Sequence, residues 1–301
     1  VEEFPDIQRL KTDVFRDSVE YARQQKDALA RARKDGLAAL GSFEASLPDL
    51  DGVESGVLID LFLSYRSVGG WAQMIALAGR MPRPLAATVM VQEQLALALN
   101  RDGQSEQAEG VLKALLESRG PSSETYGILG RVYKDRYDAK KGNAFVARAE
   151  LQKAIDTYLK GFETDWRDAY PGVNAVTLME LRQPPDPRQA ELIPIVAYAV
   201  RRRVAAGKPD YWDFATLLEL AVLARDGDGA YDALGQALAA IREAWEPETT
   251  LRNLRLIAEA RTARGEPTPD WLTTVLDQLQ AAFDQDVTEW GPRRPSRPGR
   301  C

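Results

Sequence analysis

"LAATVMVQEQLALALNRDGQSEQAEGVLKALLESRGPSSETYGILGRVYKDRY", residues 85–137, decides how this chain folds. Ala, Leu, Glu, Gln and Arg recur there at helical spacing, without the β-branched alternation of a strand. Asp102-Gly103 marks a tight turn and Gly120-Pro121 a second one. Ser122, Ser123 and Glu124 then give a start signal for the next helix. Small residues Ala96 and Ala98 stand before the first turn, and Ala108 stands where the returning helix must approach closely. The stretch predicts helix, turn, helix, turn, helix.

Paired helices of this kind have the tetratricopeptide (TPR) arrangement, in which no pair buries its apolar stripe alone and neighbours must stack. The same order returns at 220–241, "LAVLARDGDGAYDALGQALAAI", with the Arg-Asp-Gly turn repeated. Further helices are predicted over 149–163, 186–207, 210–225, 248–265 and 269–285. The stretch 136–150, "RYDAKKGNAFVARAE", breaks the 34-residue period as an insert. Ahead of the array, a long helix is expected over about 7–38, striped by Leu10, Val14, Phe15, Val19, Tyr21, Ala22, Leu29 and Ala32. "PDLDG" at 48–52 reads as a loop, 56–68 as a helix, and Gly69-Gly70 as a break before Trp71. The expected fold is all-α, a TPR-like α-solenoid of stacked helical hairpins. Its expected divisions are an N-terminal helical cap over 1–80, the repeat array over 81–284 and a disordered Pro/Arg tail over 285–301.

Composition excludes several function classes. The 301 residues contain no His, and the one Cys is Cys301. Ser-His and Cys-His nucleophilic pairs, imidazole ligands and thiolate metal sites are therefore absent. No carboxylate pair stands out by spacing as an acid and a base, so no catalytic residue, metal ligand or cofactor is assigned. The net charge of −6 argues against a general nucleic-acid partner. "RRR" at 201–203 suits a helix C-terminus, and "RRPSRPGR" at 293–300 belongs to the tail. Mean hydropathy is −0.35 and no run approaches 18 apolar residues, so a cytoplasmic protein without a membrane span is expected. The first residues show no signal-peptide pattern, and a start at Val rather than Met suggests a fragment of a longer protein.

The segments "ALNRDGQSEQAEGVL", "GPSSETYGILGRVYKDRY", "KAIDTYLKGFETDWRDAYPGVNAVTLMELR" and "YWDFATLLELAVLA" together resemble the TRAFs-binding domain. That is the TPR-like central regulatory region of apoptosis signal-regulating MAP kinase kinase kinases, with bacterial relatives proposed as sensors in conflict and antiviral systems. The resemblance covers about residues 7–284, and 121–136 and 162–182 are its most specific parts. It implies a non-enzymatic module that receives a small ligand or a protein partner and controls an attached effector. Kinase activity is not implied, because no Gly-rich loop, HRD or DFG motif is present.

Within those segments, Arg131 and Lys134 lie three apart on one helix face and could hold a phosphate or carboxylate together. Pro171 suits the first turn of a helix and should push Tyr170 into an extended conformation. Trp166, Arg167, Tyr170, Asn174 and Thr177 then cluster at a helix start, a cradle for an anionic, nucleotide-like ligand. Tyr211, Trp212, Glu219, Arg252, Asn253 and Arg255 are candidates for the same concave surface, although helix-surface solvation and inter-repeat hydrogen bonds are the simpler account of them. The ligand-binding set is Arg131, Lys134, Trp166, Arg167, Tyr170, Asn174, Thr177, Trp212, Arg252 and Asn253. The expected function is a sensor or regulatory module for a small anionic ligand or a partner protein. The alternative is a purely structural interaction scaffold that could self-associate as a homo-oligomer, with the aromatics only packing.

Overall fold

The computed structural model describes residues 20–242 and 245–289, with residue 245 and residues 285–289 described by backbone alone. Every regular element among them is helical. In order these are α1 (20–35), α2 (Leu37–Ser46), a 3₁₀ turn (Leu50–Gly52), α3 (Ser55–Ser67), α4 (Trp71–Arg80), α5 (Arg83–Ala86), α6 (Val89–Arg101) and α7 (Ser105–Arg119). They continue as α8 (Ser123–Ala139), α9 (Ala144–Thr164), α10 (Ala169–Glu180), α11 (Arg188–Ala205), α12 (Tyr211–Ala224), α13 (Gly227–Ala239), α14 (Trp245–Ala263) and α15 (Asp270–Glu289). No helix among the described residues is long and apolar enough to cross a membrane. The contacts divide the chain into two compact units, Val1–Leu115 and Leu116–Cys301.

In the first unit the expected long helix is interrupted. Residues 7–19 of it lie outside the described residues, and Gly36 at φ 95° ends α1 before α2 begins. The helix breaks there because a left-handed backbone, natural only for Gly, cannot continue it. Leu29 of α1 packs with Leu40 and Phe43 of α2, Leu58, Leu61, Phe62 and Tyr65 of α3, and Met74 and Leu77 of α4. Gly69 makes the expected turn at φ 72°, and partly buried Trp71 packs against that core.

The second unit holds the most specific sequence. The insert expected at 136–150 falls on the junction of α8, which runs to Ala139, and α9, which starts at Ala144, so its residues lengthen a helical hairpin. Asn143 caps α9, its side chain accepting from Val146 N at 3.3 Å. The two Arg-Asp-Gly turns also differ. In the first, Gly103 takes the left-handed position (φ 83°); in the second, Arg225 does (φ 61°), and Asp226 caps α13 by accepting from Gly229 N. A non-Gly residue in this conformation costs about 1–2 kcal/mol, and the Arg225 guanidinium is tied down by Glu266.

Helices α8, α10, α12 and α14 lie side by side as one layer, each packed against its following or preceding partner in the sequence. The core runs from Phe162 through Val173, Val176, Val196 and Val200 to Leu218, Leu254, Leu272 and Leu279. The central helix α10 is buried at every position from Pro171 to Glu180 except Asn174. The Gln183–Pro184 peptide that follows it is cis. Helix α15 continues to Glu289, and residues 290–301 lie outside the described residues.

Candidate functional site

Close packing explains much of the unusual sequence in the second unit. A Cβ on Gly130 would stand 2.7 Å from the ring of Tyr158, and one on Gly127 would stand 3.0 Å from the ring of Tyr170. The glycine pair in "YGILGRVY" therefore gives two aromatic rings direct access to the backbone of α8. Tyr158 and Tyr170 meet edge to face with centroids 6.1 Å apart, a favoured aromatic geometry.

The start of α10 differs from expectation. Tyr170 is inside the helix rather than extended, because Asp168 is the cap and its side chain accepts from Tyr170 N at 3.1 Å. Pro171 sits one residue further on, still within the first turn, where its missing N–H costs nothing. Ser123 on α8 donates to the same Asp168 at 2.7 Å, locking the junction from the neighbouring helix.

From this packed base a polar seam crosses the layer, with one or two side chains from each helix. Lys134 Nζ on α8 donates to Asn174 Oδ1 on α10 at 3.3 Å, and Asn174 Nδ2 donates back to the Tyr170 carbonyl at 2.9 Å. Thr177, one turn along α10, donates its hydroxyl to Glu219 Oε1 on α12. Asn253 on α14 donates to Glu219 Oε2 at 3.2 Å. Glu219 is buried, and burial pushes its carboxyl above the usual range against the pull of Thr177, Lys134 and Asn253. Lys134 is pulled the other way: burial lowers its ammonium, Glu219 opposes that, and Arg131 and Arg252 reinforce it. A row of cations thus flanks a single carboxylate whose acceptors are taken by neutral donors.

Several donors on this seam remain unspent. Lys134 has no carboxylate within ion-pair distance, and Arg252 has no hydrogen bond or ion pair among the described residues. Arg131 makes a loose pair with Asp135 at 3.8 Å, while its buried Nε finds no hydrogen-bond acceptor. Arg252 also lines a groove of about 400 Å³ with Arg255, Glu248, Glu259, Gln280 and Phe283.

The sequence candidates separate accordingly. Lys134, Asn174, Thr177 and Asn253 come together through Glu219, with Arg131, Tyr170 and Arg252 beside them. The other three stand elsewhere. Arg167 is 90% exposed and folds back onto its own Asp165 with Nε–Oδ1 2.8 Å. Trp166 lies edge-on to Phe162 at 4.9 Å, and Trp212 packs on Tyr211 at 5.2 Å in a separate apolar group.

A second polar cluster, unforeseen from the sequence, braces the same layer. Glu180 at the end of α10 pairs with Arg261 of α14 and with Arg264 just beyond that helix, and accepts from Gln189 of α11 at 3.0 Å. Arg261 spends its other two nitrogens on the Val222 and Leu223 carbonyls of α12, at 3.0 and 3.1 Å. Every member is matched, so this cluster holds helices together and offers nothing to a ligand. Glu180 and Arg261 are 81 residues apart, and no local spacing signals their pairing.

Residues 4–275 match the model of the MAP3K TRAFs-binding domain. The mitogen-activated protein kinase kinase kinase nsy-1 of Caenorhabditis elegans is 29% identical over 217 residues, covering 65% of this chain and 14% of the kinase. Mitogen-activated protein kinase kinase kinase 15 of Mus musculus is 26% identical over 238 residues, covering 74% of this chain and 17% of that protein. The chain thus spans less than a fifth of either relative. Among solved structures, a thermophilic TPR protein of Thermus thermophilus, TTC0263, superposes with a TM-score of 0.50 at 14% identity. It covers 67% of this chain and 99% of its own.

Proposed function

The chain belongs to the MAP3K TRAFs-binding domain family, and we propose that it receives an anionic partner or ligand on the seam of α8, α10, α12 and α14 and relays that event to an attached effector. The TPR-like fold and the family make it a protein-interaction and regulatory module. The finer reading is supported by one observation. Four stacked helices converge their polar side chains, yet Lys134 and Arg252 keep donors that no protein acceptor fills. Solvent can meet the donors of exposed Arg252, but Lys134 stands beside the buried Glu219 with a single long hydrogen bond, whereas the Glu180 cluster shows how this fold closes a polar network when only bracing is needed.

Relay follows from the position of the seam. A ligand that touches Lys134 on α8 and Arg252 on α14 spans four helical hairpins, and it favours whichever stacking brings both within reach. The ligand can bias that stacking only by its difference in affinity for the two forms. In the relatives this stretch is a small part of a much longer kinase, and control of an attached effector in the cytoplasm is carried over from that context.

Quantitative capture of host proteins tests this. Replacing Lys134 and Arg252 together with Met is expected to lower capture of the specific partner at least tenfold. Replacing exposed Ile195 and Tyr198 on α11 with Ser should leave it unchanged. Loss with the α11 pair and retention with the seam pair would place the interface on α11 and overturn the proposal.

A further inference from the structure

We infer that Arg131, Tyr158 and Lys134 form a subsite for a tetrahedral oxyanion, a phosphoryl group, at the α8 end of the seam. This rests on the seam being the receiving surface and specifies what that surface takes. Tyr158 is fully buried, and neither its hydroxyl nor the buried Nε of Arg131 has a partner in good hydrogen-bond geometry; the Tyr170 phenol is close to both. Folded proteins leave few buried donors unmatched, and each such group calls for an acceptor. These two fall at one place. The Tyr158 ring lies against Gly130, the residue before Arg131, and each group sits in the electrostatic field of the other.

Two more groups face the same spot. Lys134 lies one turn beyond Arg131 on the same face, with one long hydrogen bond spent on Asn174. Tyr170, 42% exposed, stands edge-on to Tyr158 with its phenol near Arg131, between these groups and solvent. The donors arrive from three different helices, α8, α9 and α10. A planar carboxylate can satisfy donors in one plane, whereas a tetrahedral oxyanion presents oxygens in all of those directions. Two cations also suit a dianion better than a monoanion. Three carboxylates bear on the site, Asp138 only through its field on Lys134. Asp135 must yield its loose 3.8 Å hold on Arg131, while Glu219 is kept away by its bonds to Thr177 and Asn253.

The test is calorimetric titration of the whole chain at fixed ionic strength, with inorganic phosphate, ADP and acetate as separate probes. Saturable binding of phosphate without binding of acetate is expected. Arg131→Gln should weaken it at least tenfold and Tyr158→Phe several-fold, with helical content unchanged by circular dichroism. Should Arg131→Gln fail to fold, Arg131→Lys keeps the charge, loses the Nε donor, and is read in its place. ADP binding more than tenfold tighter than phosphate, with the same losses in the variants, assigns the subsite to a nucleotide phosphate; equal affinities assign it to free phosphate. Absence of saturable binding, or binding that both variants leave unchanged, overturns the subsite. Partner capture separates the two ideas: a wild-type chain that binds no phosphate, yet loses its partner when Lys134 and Arg252 are replaced, removes the subsite and leaves the seam standing.

Discussion

Glu180 at the end of α10 and Arg261 on α14 form an ion pair of 2.9 Å in which each side chain is only 4% exposed. The pair fixes the distance between two helices of the layer that also carry Asn174 and Asn253. Burial alone works against ionised Glu180, and its pKa is held below the usual range by Arg261, Gln189 and Arg264. Replacing Arg261 with Met leaves that carboxylate buried with one cation fewer, and should cost about 3–5 kcal/mol of stability. Urea denaturation measures it. The double replacement Glu180→Met with Arg261→Met should cost less than the two single changes summed, because an apolar pair leaves no buried charge.

Gly130→Ala should destabilise, by about 1–3 kcal/mol, because its Cβ would meet the buried Tyr158 ring at 2.7 Å. Higher helix propensity returns about 1 kcal/mol, too little to reverse the sign. Gly110→Ala on α7 is the control, since nothing lies within 4 Å of its Cβ. That change should stabilise by about 0.4–1 kcal/mol, and thermal melts of the two variants should move in opposite directions.

Asp186 gives an acid-side prediction. Hydrogen bonds from Arg188 and Arg182 hold its carboxyl at about 2, below its value in the unfolded chain. A depressed carboxyl contributes stability that is complete above its unfolded pKa and disappears as pH falls through the folded one. Stability should therefore drop between about pH 4 and pH 2, and Asp186→Asn should flatten that part of the profile. Denaturant midpoints taken across that range decide it.

The helical hairpins were legible in the sequence because their signals are local. Asp102-Gly103, Gly120-Pro121 and the Ser start signal at 122 each act within a few residues, and each turn appears where they stand. Asp35-Gly36 carries the same local turn signal as Asp102-Gly103, but the helical stripe on both sides of it reads as one long helix; the positive φ of Gly36 ends that helix. The second Arg-Asp-Gly turn repeats the residues of the first but shifts the left-handed position to Arg225, a choice set by contacts that include Glu266. In the candidate site, Lys134 and Asn174 were marked by motif and helix periodicity, yet their meeting 40 residues apart depends on how α8 stacks on α10. Trp166 and Arg167 look alike on paper as site residues, but each is satisfied within its own junction by Phe162 and Asp165. The orphaned Tyr158 hydroxyl carries no sequence signal, since a buried tyrosine with a partner reads the same.

Lys134 should also report on occupancy. Its ammonium is pulled down by burial and by Arg131 and Arg252, so an anion bound beside it should raise its pKa. Affinity for an anionic ligand should then weaken as pH rises through the Lys134 pKa of the free protein, and Lys134→Met should remove that dependence. Titrations over a pH series, at constant salt because exposed charges are screened, measure the slope.

Site-specific photocrosslinking in the host tests the central claim most directly. A photoreactive phenylalanine analogue placed at Arg252 on α14 should crosslink the partner, and the same analogue at Tyr198 on α11 should not. A crosslinked partner at position 198 with none at position 252 would contradict the account.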